Sequence, residues 1–348
     1  VPFARGLVLQ ICLLLITLIV LELTLQIASW SSLTIRRALA PSWEVTAPVV
    51  PDPRLGLRGN PLFPGHDRRG YRNEHALDRA DIVTLGDSQT HGTSGAHEAW
   101  PRLLSLHMHV KVYNMALPGY GPLHSQLQLE EAFALRPGSV VVAPYFGNDL
   151  YDAFQLTRLH PEMLADIPPG LRAAADARER EKPLLSRRFS TAVAALTPSQ
   201  REYASPEDGP EWRTILTPRY RLRALDDRDA RIRLGFEAMQ ASIIRMAEMC
   251  RTRKVRFLVI LVPTKESVFW PRVKDPNMHP GLREQVSFEQ GLRRELMSTL
   301  VNKDVEVVDL LDPLRQATRQ PFYEDVDGHL NLAGNQVVEG VVAERLRR

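Results

Sequence analysis

The stretch Asp81-Ile82-Val83-Thr84-Leu85-Gly86-Asp87-Ser88-Gln89-Thr90-His91-Gly92 decides the fold. Its first half is a short apolar run with β-branched residues, bounded by polar ones, and predicts a buried strand. A glycine, an aspartate and a serine follow, with a second glycine four residues past the serine. A strand that ends in a glycine turn and passes into a helix leaves its last side chain exposed above the sheet. A nucleophile can use that position, because substrate reaches it while the strand holds it still. By itself the stretch also fits an ordinary polar turn in which Ser88 caps a helix. The remainder of the chain has to choose.

Downstream, the pattern alternates. Trp100 to His107 predicts a helix, and Val110 to Ala116 a second strand that enters the loop Leu117-Pro118-Gly119-Tyr120-Gly121. Ser125 to Leu135 carries apolar residues at helical spacing and stops at Pro137-Gly138. Ser139 to Phe146 predicts a third strand running into Gly147-Asn148-Asp149. Beyond an interruption, a helix at about Ala230 to Arg253 leads to the strand Val255 to Val262. Another helix, at about Leu282 to Leu300, leads to Val305 to Leu310, and a final helix covers about Leu332 to Arg347. Five strands alternating with helices predict a parallel sheet covered on both faces. The interruption, about residues 150–230, is rich in Pro, Arg, Glu and Ala, with short helices expected around Pro168–Glu181 and Pro183–Leu196. An insertion of this size at a sheet edge suits a lid or a substrate-shaping element. Its mixed charges read first as a solvated surface.

Upstream, Leu7 to Ile27 is the most hydrophobic segment of the 348 residues. A membrane helix needs about 20 residues, and this segment has that length. An uncleaved anchor is preferred to a signal peptide, because Gln26-Ile27-Ala28 is a poor small-x-small cleavage site. Arg5 precedes the segment and Arg36-Arg37 follows it, so charge does not fix the orientation. A short N-terminal tail before a large domain favours a periplasmic or otherwise extracytoplasmic location. Residues 1–40 are thus read as anchor and flank, 41–80 as linker and lead-in, and 81–348 as the folded domain. The formal net charge of +3 is too small to imply a nucleic-acid partner. Cys12 and Cys250 stand far apart in unlike contexts, and no zinc-type spacing, phosphate loop or dinucleotide fingerprint occurs. No metal or cofactor is indicated.

Ligands of open α/β sheets bind beyond the carboxyl ends of the strands. Ser88 follows the first strand, the Asn114–Gly121 loop the second and Asn148 the third, while His329 precedes the last helix. Acyl transfer through serine requires such a set. A histidine takes the hydroxyl proton near neutral pH. A carboxylate orients the imidazole, and preformed donors receive the oxyanion. The Ser88 N–H, the Gly119 N–H and the Asn148 amide are the candidate donors. His91 is near Ser88, but it stands in the wrong order for the base.

The blocks Gly86-Asp87-Ser88, Asn114…Gly119, Gly147-Asn148-Asp149 and Asp327-Gly328-His329 occur in this order, and the chain resembles the SGNH (GDSL-type) hydrolase superfamily over most of Ile82–Arg347. The resemblance implies a three-layer α/β/α domain with a five-stranded parallel sheet, a flavodoxin-like arrangement. It also implies Ser88 as nucleophile, Gly119 and Asn148 as oxyanion donors, His329 as base and Asp327 as its partner. The usual family block has two residues between aspartate and histidine, whereas here only Gly328 intervenes. That spacing is similar to the variant found in exopolysaccharide-linked members, including alginate-type O-acetyltransferases. Asp325 is the alternative partner. The G-x-S-x-G elbow of α/β-hydrolases is absent, since Thr stands at position 90.

Pro263-Thr264-Lys265-Glu266 follows the fourth strand, so Lys265 is a candidate for substrate binding or for a structural ion pair. Tyr71-Arg72-Asn73 either packs beside the first strand or lines the pocket. The expectation is a membrane-anchored serine esterase or O-acyltransferase acting on an ester, foremost the O-acyl groups of an extracytoplasmic glycan, with envelope polysaccharide machinery as a partner. A lipid esterase or thioesterase and a non-catalytic scaffold are the alternatives.

Overall fold

The structure, a computed structural model, describes residues 2–92, 95, 97–180, 204–209 and 212–348. The expected helix Pro183–Leu196 lies outside them. The chain falls into two compact units, Val1–Asp52 with Leu57–Ala76, and Pro53–Gly56 with Leu77–Arg348.

In the first unit, α1 (Pro2–Ser31) contains the whole apolar segment. From Gln10 to Ser31 its mean hydropathy is 2.5 and none of it is buried, so it is long and apolar enough to cross a membrane. Two short helices follow, α2 (Leu33–Leu39) and α3 (Ser42–Thr46), then β1 (Val49–Asp52), which pairs with β2 (Gly56–Gly59). The Pro- and Gly-rich lead-in has little regular structure, and side chains tie it down instead. Arg37 donates to the carbonyls of Pro61, Leu62, Phe63 and His66 at 2.6–3.1 Å. Asp67 accepts from the Tyr71 N–H and from the Asn73 side chain.

The second unit is built on five parallel strands: β3 (Ile82–Gly86), β4 (Val112–Asn114), β5 (Ser139–Ala143), β8 (Arg256–Leu261) and β9 (Glu306–Asp309). Their order is β4-β3-β5-β8-β9. The first strand thus lies between the second and third, and the chain reverses direction across the sheet between β3 and β5. That is the switch point where open α/β sheets hold their ligands. Side chains alternate along each strand. Ile82, Val141, Ala143, Leu258 and Ile260 pack on one face with Trp100, Leu104, Val338 and Val342. These four belong to the helices α5 (Trp100–Met108) and α14 (Leu332–Arg347). Val83, Leu85, Val140, Val142 and Val259, wholly buried, take the other face, against α6 (Pro122–Ala134) and α10 (Ala230–Thr252). The result is the expected three-layer α/β/α architecture.

Between β5 and β8 the insertion supplies α7 (Asp149–Thr157), α8 (Pro169–Arg180) and α9 (Pro218–Leu225). It also contains an antiparallel pair that the alternation did not predict, β6 (Ser205–Asp208) with β7 (Arg213–Leu216). These strands carry Pro, Glu, Asp and Arg, so their composition hides them. After β8 come α11 (Lys265–Phe269) and α12 (Leu282–Asn302), then α13 (Leu311–Arg315) beyond β9.

Candidate active site

Ser88 opens α4 (Ser88–His91), and the cap of that helix is Asp87, whose carboxylate accepts from the Gln89 N–H at 2.9 Å. Ser88 is therefore not the cap, and its hydroxyl lies 3.3 Å from the second carboxylate oxygen of Asp87. Gly86 is required for the turn, since a Cβ there would stand 2.7 Å from the Thr90 hydroxyl oxygen. Asn114, at the end of β4, steadies the same turn by donating to the Thr90 carbonyl at 2.9 Å.

His329 arrives from the other end of the domain, in the loop before α14. Its Nε2 lies 2.8 Å from Ser88 Oγ. Its Nδ1 forms a short hydrogen bond with the Asp327 carboxylate, which also accepts the His329 backbone N–H at 2.9 Å. A carboxylate that accepts the N–H two residues further on closes an Asx turn, and the turn brings the ring of His329 back to the same carboxylate. Asp325 does not reach the imidazole in this arrangement. Its carboxylate instead accepts the Asp327 N–H at 2.8 Å, holding the partner in place. Burial would raise the Asp327 carboxyl, but the bond and charge of His329, with Lys265 behind, hold it below its ordinary range.

The deciding feature is a Ser–His–Asp constellation at the β3/β5 switch point, assembled from blocks in the order expected. Around this point the chain has an α/β/α fold on a five-stranded parallel sheet. No family model and no curated protein matches the sequence. Among solved structures, the chain is similar to a catalytic mutant of an acetylxylan esterase from Geobacillus stearothermophilus, with 12% identity, a TM-score of 0.41 and coverage of 78% of this chain and 95% of that one. It is also similar to a GDSL-like lipase from Bacteroides thetaiotaomicron (12% identity, TM-score 0.38, 76% and 87% covered). A member of the lipolytic G-D-S-L family from Veillonella parvula gives 12% identity and a TM-score of 0.39, with 77% and 98% covered.

This site opens into a cavity of about 740 Å³ whose lining includes Ser88, His329, Asn148, Tyr145, Tyr220 and Arg221. Asn148 donates its side-chain amide to Asp152 at 2.5 Å. Burial raises the Asp152 carboxyl to about 6 although that bond pulls it down. Gly119 stands in an exposed turn at φ +82, a value that suits glycine, and is not among the residues lining the cavity. His91 is buried, and it is His329 whose ring nitrogen lies beside Ser88 Oγ. Tyr71, Arg72 and Asn73 belong to the first unit. Lys265 does not line the cavity: the side chain is buried and turns into the His329 loop. Its ammonium donates to the backbone carbonyls of Tyr323, Asp325 and Asp327.

Two groups escaped the sequence reading. Gln89 donates to the Gly328 carbonyl at 2.9 Å and accepts the Leu330 N–H at 3.0 Å, gripping the backbone on both sides of His329. Its position just after Ser88 was the only signal. Arg221, from α9, is buried against the same loop, and a Cβ on Gly328 would stand 2.1 Å from its guanidinium. This close approach explains the glycine between Asp327 and His329. It also shows that some charges of the insertion form a cavity wall rather than a solvated surface.

Proposed function

We propose that this chain is a serine ester hydrolase or O-acyltransferase working through an acyl-enzyme on Ser88. The observation that carries the reading is the 2.8 Å contact between His329 Nε2 and Ser88 Oγ, with Asp327 on Nδ1. The Ser88 hydroxyl gives its proton to His329 as Oγ attacks the ester carbonyl. Asp327 holds the ring in the tautomer with Nδ1 protonated and stabilises the imidazolium that forms. An amide side chain has two N–H groups, so Asn148 can bond Asp152 with one and offer the second to the oxyanion. The Ser88 N–H and the Gly119 N–H are the other proposed donors. The imidazolium returns its proton to the leaving alcohol, and the acyl group stays on Ser88. Water or a sugar hydroxyl, deprotonated by the same histidine, then removes it.

For the substrate we propose an O-acyl group of an extracytoplasmic glycan, with the domain held at the membrane by an uncleaved α1. The Asp-x-His spacing at Asp327 and His329, similar to that of exopolysaccharide-linked SGNH members, supports the glycan, and the apolar run Gln10–Ser31 supports the anchor. Polysaccharide-assembly proteins are the partners that follow from this reading. A fluorophosphonate probe tests the chemistry: it should label the wild type and leave a folded Ser88→Ala chain unlabelled. Equal labelling of both would remove Ser88 from the mechanism. Mass detection of acyl groups moved to or from oligosaccharides tests the substrate. Protease added to spheroplasts tests the anchor, since an outside domain is digested and an inside one survives.

A further inference from the structure

Lys265 begins α11 a few residues beyond β8 and is only 1% exposed. Its Nζ donates to the carbonyls of Tyr323 at 3.1 Å, Asp325 at 2.6 Å and Asp327 at 2.9 Å. An ammonium has three hydrogens and no acceptor, so this set uses every one of them. The three carbonyls belong to alternate residues of one loop, and they can converge on one point only if that loop curves around it. The curve ends at Asp327, whose carboxylate meets His329. Between α13 and α14 the loop has almost no ladder of its own, apart from one bridge between Phe322 and Leu330. Its shape therefore depends on side chains that come from elsewhere.

We propose that Lys265 is a positioning residue whose ammonium gathers the 323–327 loop and so sets the Asp327 carboxylate on His329. This deepens the serine-esterase reading and rests on it. The neighbouring Glu266 holds the start of α9, its carboxylate accepting the Thr217 N–H at 2.8 Å, and it lies 3.9 Å from Arg221. Lys265 and Glu266 thus anchor the catalytic loop and the cavity wall from adjacent positions on one short helix.

The clamp has a pH signature. Burial lowers Lys265 to about 8, Arg221 on α9 adds to the lowering, and Glu266, Asp325 and Asp327 oppose it. The ammonium is therefore present at neutral pH and lost as pH rises through about 8. A neutral amine has one hydrogen fewer and sets a lone pair against a carbonyl, so the loop relaxes. Misplacement of a catalytic group by about 1 Å costs up to about 10²-fold in rate.

The test uses the full chain and p-nitrophenyl acetate. In wild type, kcat should fall as pH rises through about 8 with KM little changed. Lys265→Met should have kcat about 10²-fold lower at pH 7 and no such alkaline limb, and Lys265→Arg should move the limb upward because its charge persists. The same limb in all three chains would overturn the clamp. If Lys265→Met does not fold, Lys265→Arg decides by the same criterion. Amide exchange over residues 323–331, corrected for intrinsic rate, is the arm that does not depend on catalysis. Protection should drop in wild type above pH 8, and unchanged protection would overturn the proposal. A wild type that fluorophosphonate leaves unlabelled would sink the esterase reading and leave the exchange experiment to judge the clamp.

Discussion

Ser88 and His329 meet at 2.8 Å, yet the two segments that bring them together are built in opposite ways. Ser88 follows directly on the turn after β3, all five residues of which are buried, with β4 paired on one side and β5 on the other. Its turn is made by neighbours: Gly86 supplies the backbone, Asp87 the cap and Thr90 the packing. His329 stands on a loop held from a distance. Gln89 grips it on one side, Lys265 gathers it from beneath, and Asn331 ties its base by donating to the carbonyls of Gln320 and Phe322. The difference separates a position written in adjacent residues from one written across more than two hundred. Damage to the first should remove the chemistry, and damage to the second should misalign it.

The largest expected effect is on the first region. Ser88→Ala should lower kcat by at least about 10⁴-fold, as removal of a triad nucleophile does elsewhere, while the thermal midpoint stays close to wild type. A variant that loses its fold instead would show that Ser88 belongs to the frame of the turn.

Asp327→Asn comes next, with a loss in kcat of up to about 10⁴-fold, because an amide favours the wrong imidazole tautomer. Asp325→Asn should be much milder, since Asp325 acts only through the Asp327 N–H. Steady-state kinetics on both variants decide the matter, and a reversed order would make Asp325 the working partner.

Gly328→Ala should act on alignment. The new methyl would overlap the Arg221 guanidinium, and the displaced loop should cost up to about 10²-fold in kcat with little change in KM. Unchanged kinetics would mean that the loop moves freely around His329, against the rigid grip described for Gln89 and Lys265.

The smallest effect is on stability. Burial pushes the Asp87 carboxyl up to about 7, Asp152 adds to the rise, and the Gln89 N–H and His329 oppose it. Its folded pKa exceeds its unfolded value, so the stability it contributes is present below about pH 4 and is lost as pH rises to about 7. Asp87→Asn keeps an oxygen for the cap and removes this penalty. Its melting temperature should exceed that of wild type at pH 8 and match it at pH 4. An excess at pH 4 alone would reverse the assigned direction of the shift.

How much of this was legible in the sequence follows the same division. Ile82 to Gly92 reads as strand, turn and helix because its signals lie within a few residues: β-branched burial, one glycine and one cap. The five strands of the large sheet were legible for the same reason, each being a short apolar run, as was α1, whose apolar length is its own signal. The β6/β7 pair was hidden because polar, half-exposed strands carry no such run. Lys265 read equally as a substrate contact or a structural ion pair, because its place after β8 points to the sheet edge and position along a chain does not say which way a side chain turns.

The sequence by itself determined which residues could take part and at which edge of the sheet they would gather. Only the tertiary structure decided that Asp327 rather than Asp325 meets His329, that Gln89 and Lys265 hold the loop, and that Arg221 requires the glycine between aspartate and histidine. The physical reason is range. Backbone propensity, capping and hydrophobic periodicity act over a handful of residues and can be read in order, whereas a hydrogen bond between Gln89 and Gly328 exists only after the sheet has closed the distance between them.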